Sequence, residues 1–241
     1  NSNLAAAADL GAMTANNPAL GDLSFLATPE KGEVTALLLR PENATHLLVL
    51  GHGASTNMRH ATMQAIAEAL AERGIATFRY NFPYSENRRG RDSAAVCVAT
   101  LRNACKAARE AVPDLPLLAG GHSFGGRMTT TAQSEGPLND VIGLVLFSFP
   151  LHLLGRPDTK RAEHLANITV PMLFLSGTRD ELATLDLLEA TIKGLGEHAS
   201  LHLLDTANHS YKILKKTRQS AEDVFAEMAR ETCSWIGKVG L

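Results

Sequence analysis

The sequence predicts a single α/β domain whose mostly parallel central sheet is covered by helices on both faces. From His46 to the end of the chain, short apolar runs typical of strands alternate with amphipathic stretches typical of helices. This alternation is the pattern of a parallel sheet with crossover helices. Several runs are uniformly apolar, and Leu47–Leu50 is the clearest, as expected of a strand buried on both faces.

The N-terminal part of the chain predicts how the sheet opens. Glu33–Leu39 and His46–Leu50 are expected to be strands, and the Pro-Glu-Asn turn at 41–43 indicates an antiparallel hairpin between them. The preceding residues are rich in Ala and Asn, and no Lys or Arg occurs in the first 30, so the basic region of a secretory signal is missing. We expect residues 1–22 to be a disordered or expression-derived segment and residues 23–241 to form the domain.

The remaining elements alternate as this fold requires. Helix Met58–Arg73 has apolar residues at the i, i+3, i+4 and i+7 positions of one face, and Gly74 is placed to end it. Leu151–Asn167 is the one candidate for a cap over the sheet, and its shortness predicts an open site. The other predicted elements, in chain order, are strand Ile75–Tyr80, a helix from about Asp92 (its N-cap) to Ala111, strand Leu115–Ala119, helix Phe124–Gln133, strands Val141–Phe147 and Val170–Leu175, a helix from Ala183 to about Lys193, strand Ser200–Leu204 and helix Ser220–Ile236.

Composition argues against several classes of protein. The chain has 241 residues, 45% of them hydrophobic, so it can bury a sizeable core. The net charge of −2 gives no reason to expect a nucleic-acid or membrane partner, and no apolar run approaches the ~20 residues that span a bilayer. The short basic cluster of Arg88, Arg89 and Arg91 is interpreted as a solvated loop rather than a phosphate site.

Cysteine and histidine usage argues against metals and disulfides. Cys97, Cys105 and Cys233 are odd in number and lack metal-ligand spacing, so they predict a reducing, cytoplasmic compartment. The histidines are dispersed, with no H-E-x-x-H motif, and no G-x-G-x-x-G follows an early strand. We therefore expect no metal, dinucleotide or other cofactor.

The candidate nucleophile is Ser123, in the motif Gly121-x-Ser123-x-Gly125. An apolar run precedes the motif and a helical stretch follows it, which is the setting of a nucleophile elbow. Glycines are needed on both sides because side chains there would collide with the neighbouring strand and helix. The alternative is a Gly-rich turn in which Ser123 caps an ordinary helix.

A nucleophilic serine needs a base and an acid. In proteins with a nucleophile elbow, the acid follows the serine in the chain and the histidine base comes after the acid. Asp180 comes in the turn after a strand, 57 residues beyond Ser123, and His209 follows the next strand. Both lie just past the carboxyl ends of strands, where open parallel sheets bind ligands. As alternatives, Asp180 caps the following helix, or Asp205 or Asp158 is the acid.

The predicted oxyanion donors are two backbone N–H groups. One belongs to Phe124, the residue after the candidate nucleophile. The other belongs to Ala54, with Ser55 second, because Gly51–Ser55 is a small-residue turn after a buried strand. His52 precedes the serine in the chain, so it is interpreted as a brace for this turn rather than the base.

Six apolar side chains are candidates for contact with substrate. Ordinary core packing is an equal alternative for each of them. They are Phe82, Phe149, Leu151, Leu153, Leu182 and Tyr211.

From about Gly32 to Ile236 the chain resembles the α/β-hydrolase superfamily. Within it, the chain is most similar to the small dienelactone-hydrolase-like group that includes the testis-expressed and NSL-complex hydrolase-like proteins and their bacterial relatives. The motifs that carry the resemblance are Gly51-His52-Gly53-Ala54, the run from Phe78 to Tyr84, Gly120 to Met128, the run from Phe174 to Asp180, and Asn208-His209-Ser210-Tyr211.

The resemblance implies an α/β-hydrolase fold with Ser123 as nucleophile, Asp180 as acid and His209 as base. A dienelactone hydrolase proper would have a cysteine in place of Ser123, so the serine favours plain ester hydrolysis. We expect a monomeric or homodimeric serine hydrolase of small carboxylic esters that works through an acyl-enzyme. The alternatives are an acyltransferase with the same three residues and a non-catalytic interaction module.

Overall fold

The computed structural model describes residues 19–241, which form one eight-stranded sheet in the order β1-β2-β4-β3-β5-β6-β7-β8. The six strands from β4 to β8 in this order are parallel, and β1 and β2 form an antiparallel pair at one edge. The strands are β1 Ala19–Thr28, β2 Gly32–Arg40, β3 His46–Gly51, β4 Ile75–Tyr80, β5 Leu117–His122, β6 Val141–Phe147, β7 Met172–Gly177 and β8 Ala199–Leu204.

Helices cover both faces of this sheet, as the alternating pattern predicted. Helices α3, α4 and α5 pack on one face, and α1 and α6 pack on the other, so that each face has its own apolar core. Two short 3-10 helices, Lys160–Asn167 and Gly196–His198, lie in the connections. The α-helices are α1 Ala61–Glu72, α2 Pro83–Glu86, α3 Ala94–Ala111, α4 Phe124–Glu135, α5 Leu185–Gly194 and α6 Val224–Val239.

The predicted opening hairpin between β2 and β3 is wrong. Strand β2 pairs with β1 and β4, whereas β3 lies between β4 and β5. The side chains of Leu47–Leu50 are fully buried, and two parallel neighbours bury them more completely than an edge hairpin would. The antiparallel hairpin is instead β1–β2, whose turn ends at Gly32 with a φ of 76°.

The N-terminal boundary that we predicted is also wrong. Strand β1 begins at Ala19, inside the segment 1–22 that we expected outside the domain, and residues 1–18 lie outside the described residues. Phe25 and Ala27 are buried against the core, whereas Leu23 and Leu26 are exposed. An edge strand with so few buried positions gives a weak periodic signal in the sequence.

The N-cap of helix α3 lies one residue later than predicted. Its N-cap is Ser93, whose hydroxyl accepts a hydrogen bond from the N–H of Val96. The predicted cap, Asp92, forms an ion pair with Lys31 at 2.7 Å. The carboxylate of Asp92, which the sequence predicts to cap the helix, therefore pairs with a distant lysine instead.

The segment Leu151–Asn167 contains one 3-10 helix, which packs against α4, and no α-helix. This agrees with the prediction of a short cap. Among residues 19–241, no helix has both the length and the apolar composition needed to cross a membrane.

Candidate active site

Ser123 lies in a sharp turn between β5 and α4. Its backbone angles, φ 51° and ψ −114°, are unusual for a residue with a side chain, and such a conformation costs roughly 1–3 kcal/mol. Two backbone hydrogen bonds hold it: its N–H donates to the carbonyl of Phe147 at 2.8 Å, and its own carbonyl accepts from Arg127 at 3.0 Å. The turn therefore presents the hydroxyl above the sheet, where the side chain remains partly exposed.

The glycines around Ser123 permit this turn, which confirms the reason given for them from the sequence. A Cβ atom on Gly121 would lie 2.5 Å from the carbonyl carbon of Gly125 and 2.7 Å from the carbonyl oxygen of Gly51. A Cβ atom on Gly125 would lie 2.3 Å from that same oxygen of Gly51. Strand β3 and helix α4 can approach β5 this closely only if those positions have no side chain.

The structure brings Ser123, His209 and Asp180 together although they lie far apart in the chain. His209 Nε2 lies 2.8 Å from Ser123 Oγ, and His209 Nδ1 lies 2.9 Å from both carboxylate oxygens of Asp180. The side chain of Asp180 is fully buried and that of His209 is 12% exposed. With the proton on Nδ1 donated to Asp180, Nε2 is free to accept the proton of the serine hydroxyl.

The rival acids lie elsewhere. Asp205 accepts hydrogen bonds from the N–H of Gln219, and Asp158 accepts from the N–H of Lys160. Asp180 Oδ1 also accepts from the N–H of Leu182, whereas the N-cap of α5 is Thr184. Asp180 therefore shapes its own turn as well as contacting His209, and it does not cap the helix.

The turn Gly51–Ser55 lies beside the elbow. Among residues 19–241, neither the N–H of Ala54 nor the N–H of Phe124 has a hydrogen-bond acceptor, so both are free donors. His52 is fully buried; its Nδ1 lies 2.7 Å from the carbonyl oxygen of Gly53, and its Nε2 accepts from the N–H of Phe82 at 3.2 Å. His52 thus links this turn to the loop after β4, as a brace would.

Sequence reasoning missed His122, the residue before Ser123. Its Nε2 lies 3.2 Å from the carbonyl oxygen of His209, so the imidazole donates its proton there and holds the loop that carries His209. Burial, reinforced by the nearby charge of His209, lowers the pKa of His122 to about 4. The variable position of the G-x-S-x-G motif gave no signal for this contact, which joins loops 87 residues apart.

His152 was missed as well. Its ring Nε2 accepts from the N–H of Thr184 at 3.0 Å, and the backbone N–H of His152 donates to the carbonyl of Leu182. The imidazole therefore fixes the short segment after β6 to the turn that carries Asp180.

The apolar candidates for substrate contact divide into two groups. Phe82, Phe149, Leu151 and Tyr211 are buried: Phe82 packs between aromatic rings, Phe149 packs on Phe174, and the Tyr211 hydroxyl donates to the carbonyl of Leu175. These contacts are those of core residues. Leu153 is 51% exposed and Leu182 is half-buried, so both remain accessible to a ligand.

Metal-ligating side chains do not cluster in the described part of the chain. No group of three or more His, Cys, Asp or Glu residues in 19–241 is arranged to hold an ion. The three cysteines are free thiols, and Cys97 and Cys105 are buried.

The α/β-hydrolase class is defined by a parallel sheet with a strained serine after a central strand. The loops after later strands provide an acidic residue and a histidine. The chain belongs to this family, because residues 44–237 match the family model described as an alpha/beta hydrolase domain.

Solved structures share the fold at low sequence identity. A dienelactone hydrolase from Anabaena variabilis is 19% identical, with a TM-score of 0.70 over 92% of this chain and 98% of that one. XC6422 from Xanthomonas campestris, described as a serine hydrolase without a lid, is 18% identical, with a TM-score of 0.68 over 90% and 94% of the two chains. Est1E from Butyrivibrio proteoclasticus, solved with ferulic acid, is 18% identical, with a TM-score of 0.67 over 85% and 96%.

Proposed function

We propose that the protein is a serine hydrolase that cleaves small carboxylic esters through an acyl-enzyme. The observation that carries this proposal is the continuous path of hydrogen-bond distances from Ser123 Oγ through His209 to the buried Asp180. The short segment after β6 leaves the serine accessible, which suits small substrates. XC6422, which is described as a serine hydrolase, has the same fold and supports this class of reaction.

Acylation follows from the positions of the three side chains. Ser123 Oγ attacks the ester carbonyl carbon while His209 Nε2 takes the hydroxyl proton. Asp180 stabilises the imidazolium that forms and keeps the imidazole in the orientation its 2.9 Å contacts define. As the carbon–oxygen bond to the alcohol breaks, the imidazolium returns the proton to the departing alkoxide.

Deacylation repeats these steps with water. A water oxygen attacks the acyl carbon, His209 takes its proton, and the acyl–Oγ bond breaks as Ser123 regains a proton and the carboxylic acid leaves. In both tetrahedral intermediates the negative oxygen accepts from the free N–H groups of Phe124 and Ala54. Each such donor contributes about 3–4 kcal/mol to the transition state.

The test is fluorophosphonate labelling with peptide mapping, together with hydrolysis of p-nitrophenyl butyrate. We expect a stoichiometric adduct on Ser123, and we expect Ser123→Ala to abolish labelling and lower kcat/KM by about four orders of magnitude or more. Ser134→Ala, the same change on a half-buried serine later in α4, is the matched control and should keep both signals.

Two outcomes would count against this proposal. Folded wild-type protein without an adduct would favour the non-catalytic interaction module. Transfer of the butyryl group to an added alcohol or thiol in preference to water would show an acyltransferase instead.

We also propose that the protein works in the cytoplasm. Cys97 and Cys105 are buried free thiols whose pKa burial raises to about 12, so they stay protonated and serve as core residues. A chain whose three thiols are free suits a reducing compartment. Fractionation of the source cells, with the protein followed by a specific antibody, tests this location.

A further inference from the structure

A cleft of about 300 Å³ adjoins the turn that carries the proposed oxyanion donor. One wall is the turn itself and the other is the loop that follows β4, so Ala54 belongs to both the cleft and the proposed site. A group bound in the cleft would therefore lie next to the proposed oxyanion donor. The lining residues are Ala54, Ser55, Thr56, Tyr84, Ser85, Arg88, Arg89 and Arg91.

Arg91 connects the cleft to the elbow. Its guanidinium carbon lies 5.1 Å from the centre of the Phe124 ring, within the range of a cation–π contact. Phe124 directly follows Ser123, and its ring also packs against Phe82 and Tyr84. The arginine is thus held at the entrance to the site, although its side chain is otherwise exposed.

The arginines of this wall have no ion-pair partner in the described part of the chain. No carboxylate among residues 19–241 forms an ion pair with Arg88, Arg89 or Arg91. The two acids of the same loop are engaged elsewhere: Asp92 pairs with Lys31, and Glu86 accepts hydrogen bonds from Thr35 and Asn81. Three arginines therefore line one small cleft without forming an ion pair.

Two further arginines, Arg127 and Arg161, lie outside the cleft. The pKa of Arg127 is lowered, first by burial and then by the charges of Arg161 and Arg91. Arg127 lies in the first turn of α4, and Arg161 donates to the carbonyl of His152.

We infer that the cleft binds a phosphoryl group of the substrate, so that the preferred substrates are short-chain acyl esters of small phosphorylated alcohols. This inference rests on the proposed ester hydrolysis and names its substrate class. A phosphate monoester has a charge of about −1.5 to −2 at pH 7 and three acceptor oxygens. Guanidinium groups bind such oxygens in pairs, which several arginines around one cleft can do together. Arg88, Arg89 and Arg91 are exposed, as the interpretation of a solvated loop expects, and the proposal adds a ligand to that loop.

Binding is tested first without any turnover. Calorimetric titration of the Ser123→Ala protein with inorganic pyrophosphate should show saturable binding, and succinate should bind at least about ten-fold more weakly. In Arg88→Gln/Arg89→Gln on the same background, pyrophosphate affinity should fall about ten-fold or more. Arg40→Gln is the matched control and should bind as its parent does, because Arg40 is a half-buried arginine of β2 that pairs with Asp114.

Substrate preference is tested with a pair of esters that differ by one phosphate. For the wild type, kcat/KM for 1-butyrylglycerol 3-phosphate should exceed that for 1-butyrylglycerol by about ten-fold or more. The arginine double variant should bring this ratio close to one. The ratio cancels any effect of the substitutions on the elbow or on folding, because both esters use the same serine.

Three results would overturn the inference. They are a ratio of one or less in active wild-type enzyme, succinate binding as tightly as pyrophosphate, and pyrophosphate affinity unchanged in the double variant. Failure of the proposed hydrolysis would look different. In that case neither ester would be cleaved and Ser123 would not label, whatever the calorimetry shows.

Discussion

At the scale of single residues, the site depends on two glycines at which a side chain would clash with neighbouring backbone. The chain turns at Ser123 with a positive φ, and the space for that turn exists because Gly121 and Gly125 have no side chains. Strand β3 also packs here, because the carbonyl of Gly51 lies against both glycines. Close backbone contacts therefore position the backbone of Ser123, and its hydroxyl lies 2.8 Å from His209 Nε2.

The first prediction concerns a methyl group added at Gly125. Its carbon would lie 2.3 Å from the Gly51 carbonyl oxygen, so Gly125→Ala must displace β3 or α4. We expect a loss of about 1–3 kcal/mol in the free energy of unfolding and loss of labelling at Ser123. Urea unfolding followed by circular dichroism measures the first, and fluorophosphonate adduct formation measures the second.

Gly237→Ala is the matched control for this change. Gly237 lies inside α6, and a Cβ atom there would meet nothing within 4 Å. Because alanine favours helix more than glycine does, this variant should gain about 0.5–1 kcal/mol and label normally. Equal stability of the two variants would contradict the steric explanation of the elbow.

At the scale of helices and strands, α6 shows how a local cap secures a long-range contact. Asp223 accepts hydrogen bonds from the N–H groups of Phe225 and Ala226 at the start of the helix. The helix then buries Met228, Trp235 and Ile236 against the sheet. It closes the face opposite α3 and α4, so fraying of its first turn would open that core.

The second prediction therefore concerns this cap. Asp223→Ala should lower the free energy of unfolding by about 1 kcal/mol, because two N–H groups lose their acceptor. Asp223→Asn keeps an acceptor oxygen and should cost only a few tenths of a kcal/mol. Chemical denaturation of the two variants beside the wild type measures the difference, and a larger loss in the Asn variant would argue against capping.

The elements with strong local patterns are predictable from sequence, and those set by distant pairing are not. The uniformly apolar β3 and the one-sided apolar face of α1 are each visible within a short window of sequence. Strand β1 has no such pattern, because Leu23 and Leu26 face solvent. Its place in the sheet comes from pairing with β2. The turn at 41–43 predicts instead that β2 pairs with β3, so the sequence leaves β1 without a partner strand.

The candidate site divides in the same way. Ser123, Asp180 and His209 are found by motif and chain order, because this fold fixes where strands end. His122 and His152 act through backbone carbonyl and N–H groups of distant loops, and no residue pattern encodes such partners. The buried Phe82, Phe149 and Tyr211 could not be separated from pocket residues by hydrophobicity alone.

At the scale of the whole molecule, stability should depend on pH through two buried histidines. Burial lowers the pKa of His52 and of His122 to about 4, whereas an unfolded histidine has a pKa near 6.5. Between those values the unfolded chain binds protons that the folded chain does not. The stability from keeping these imidazoles neutral is therefore complete above about pH 6.5 and is lost as the pH falls towards 4.

The third prediction follows from this linkage. Between pH 7 and pH 4.5 each of the two histidines should remove about 2–3 kcal/mol from the free energy of unfolding. His52→Gln should lower stability at pH 7 through its lost contacts, yet lose about 2–3 kcal/mol less than the wild type on acidification. Urea titrations at both pH values give the two differences. An equal loss in both proteins would contradict the assignment of a depressed pKa to His52.

The distance in sequence between Ser123 and His209 has a consequence for the protein as it is being made. The ribosome adds the serine 86 residues before the histidine, and synthesis at about 5–20 residues per second separates them by about 4–17 s. Throughout that interval the emerging chain contains the serine but not the imidazole that would accept its proton. The serine of each new molecule therefore lacks the histidine that we propose as its base until the last strand and the loop after it have been synthesised.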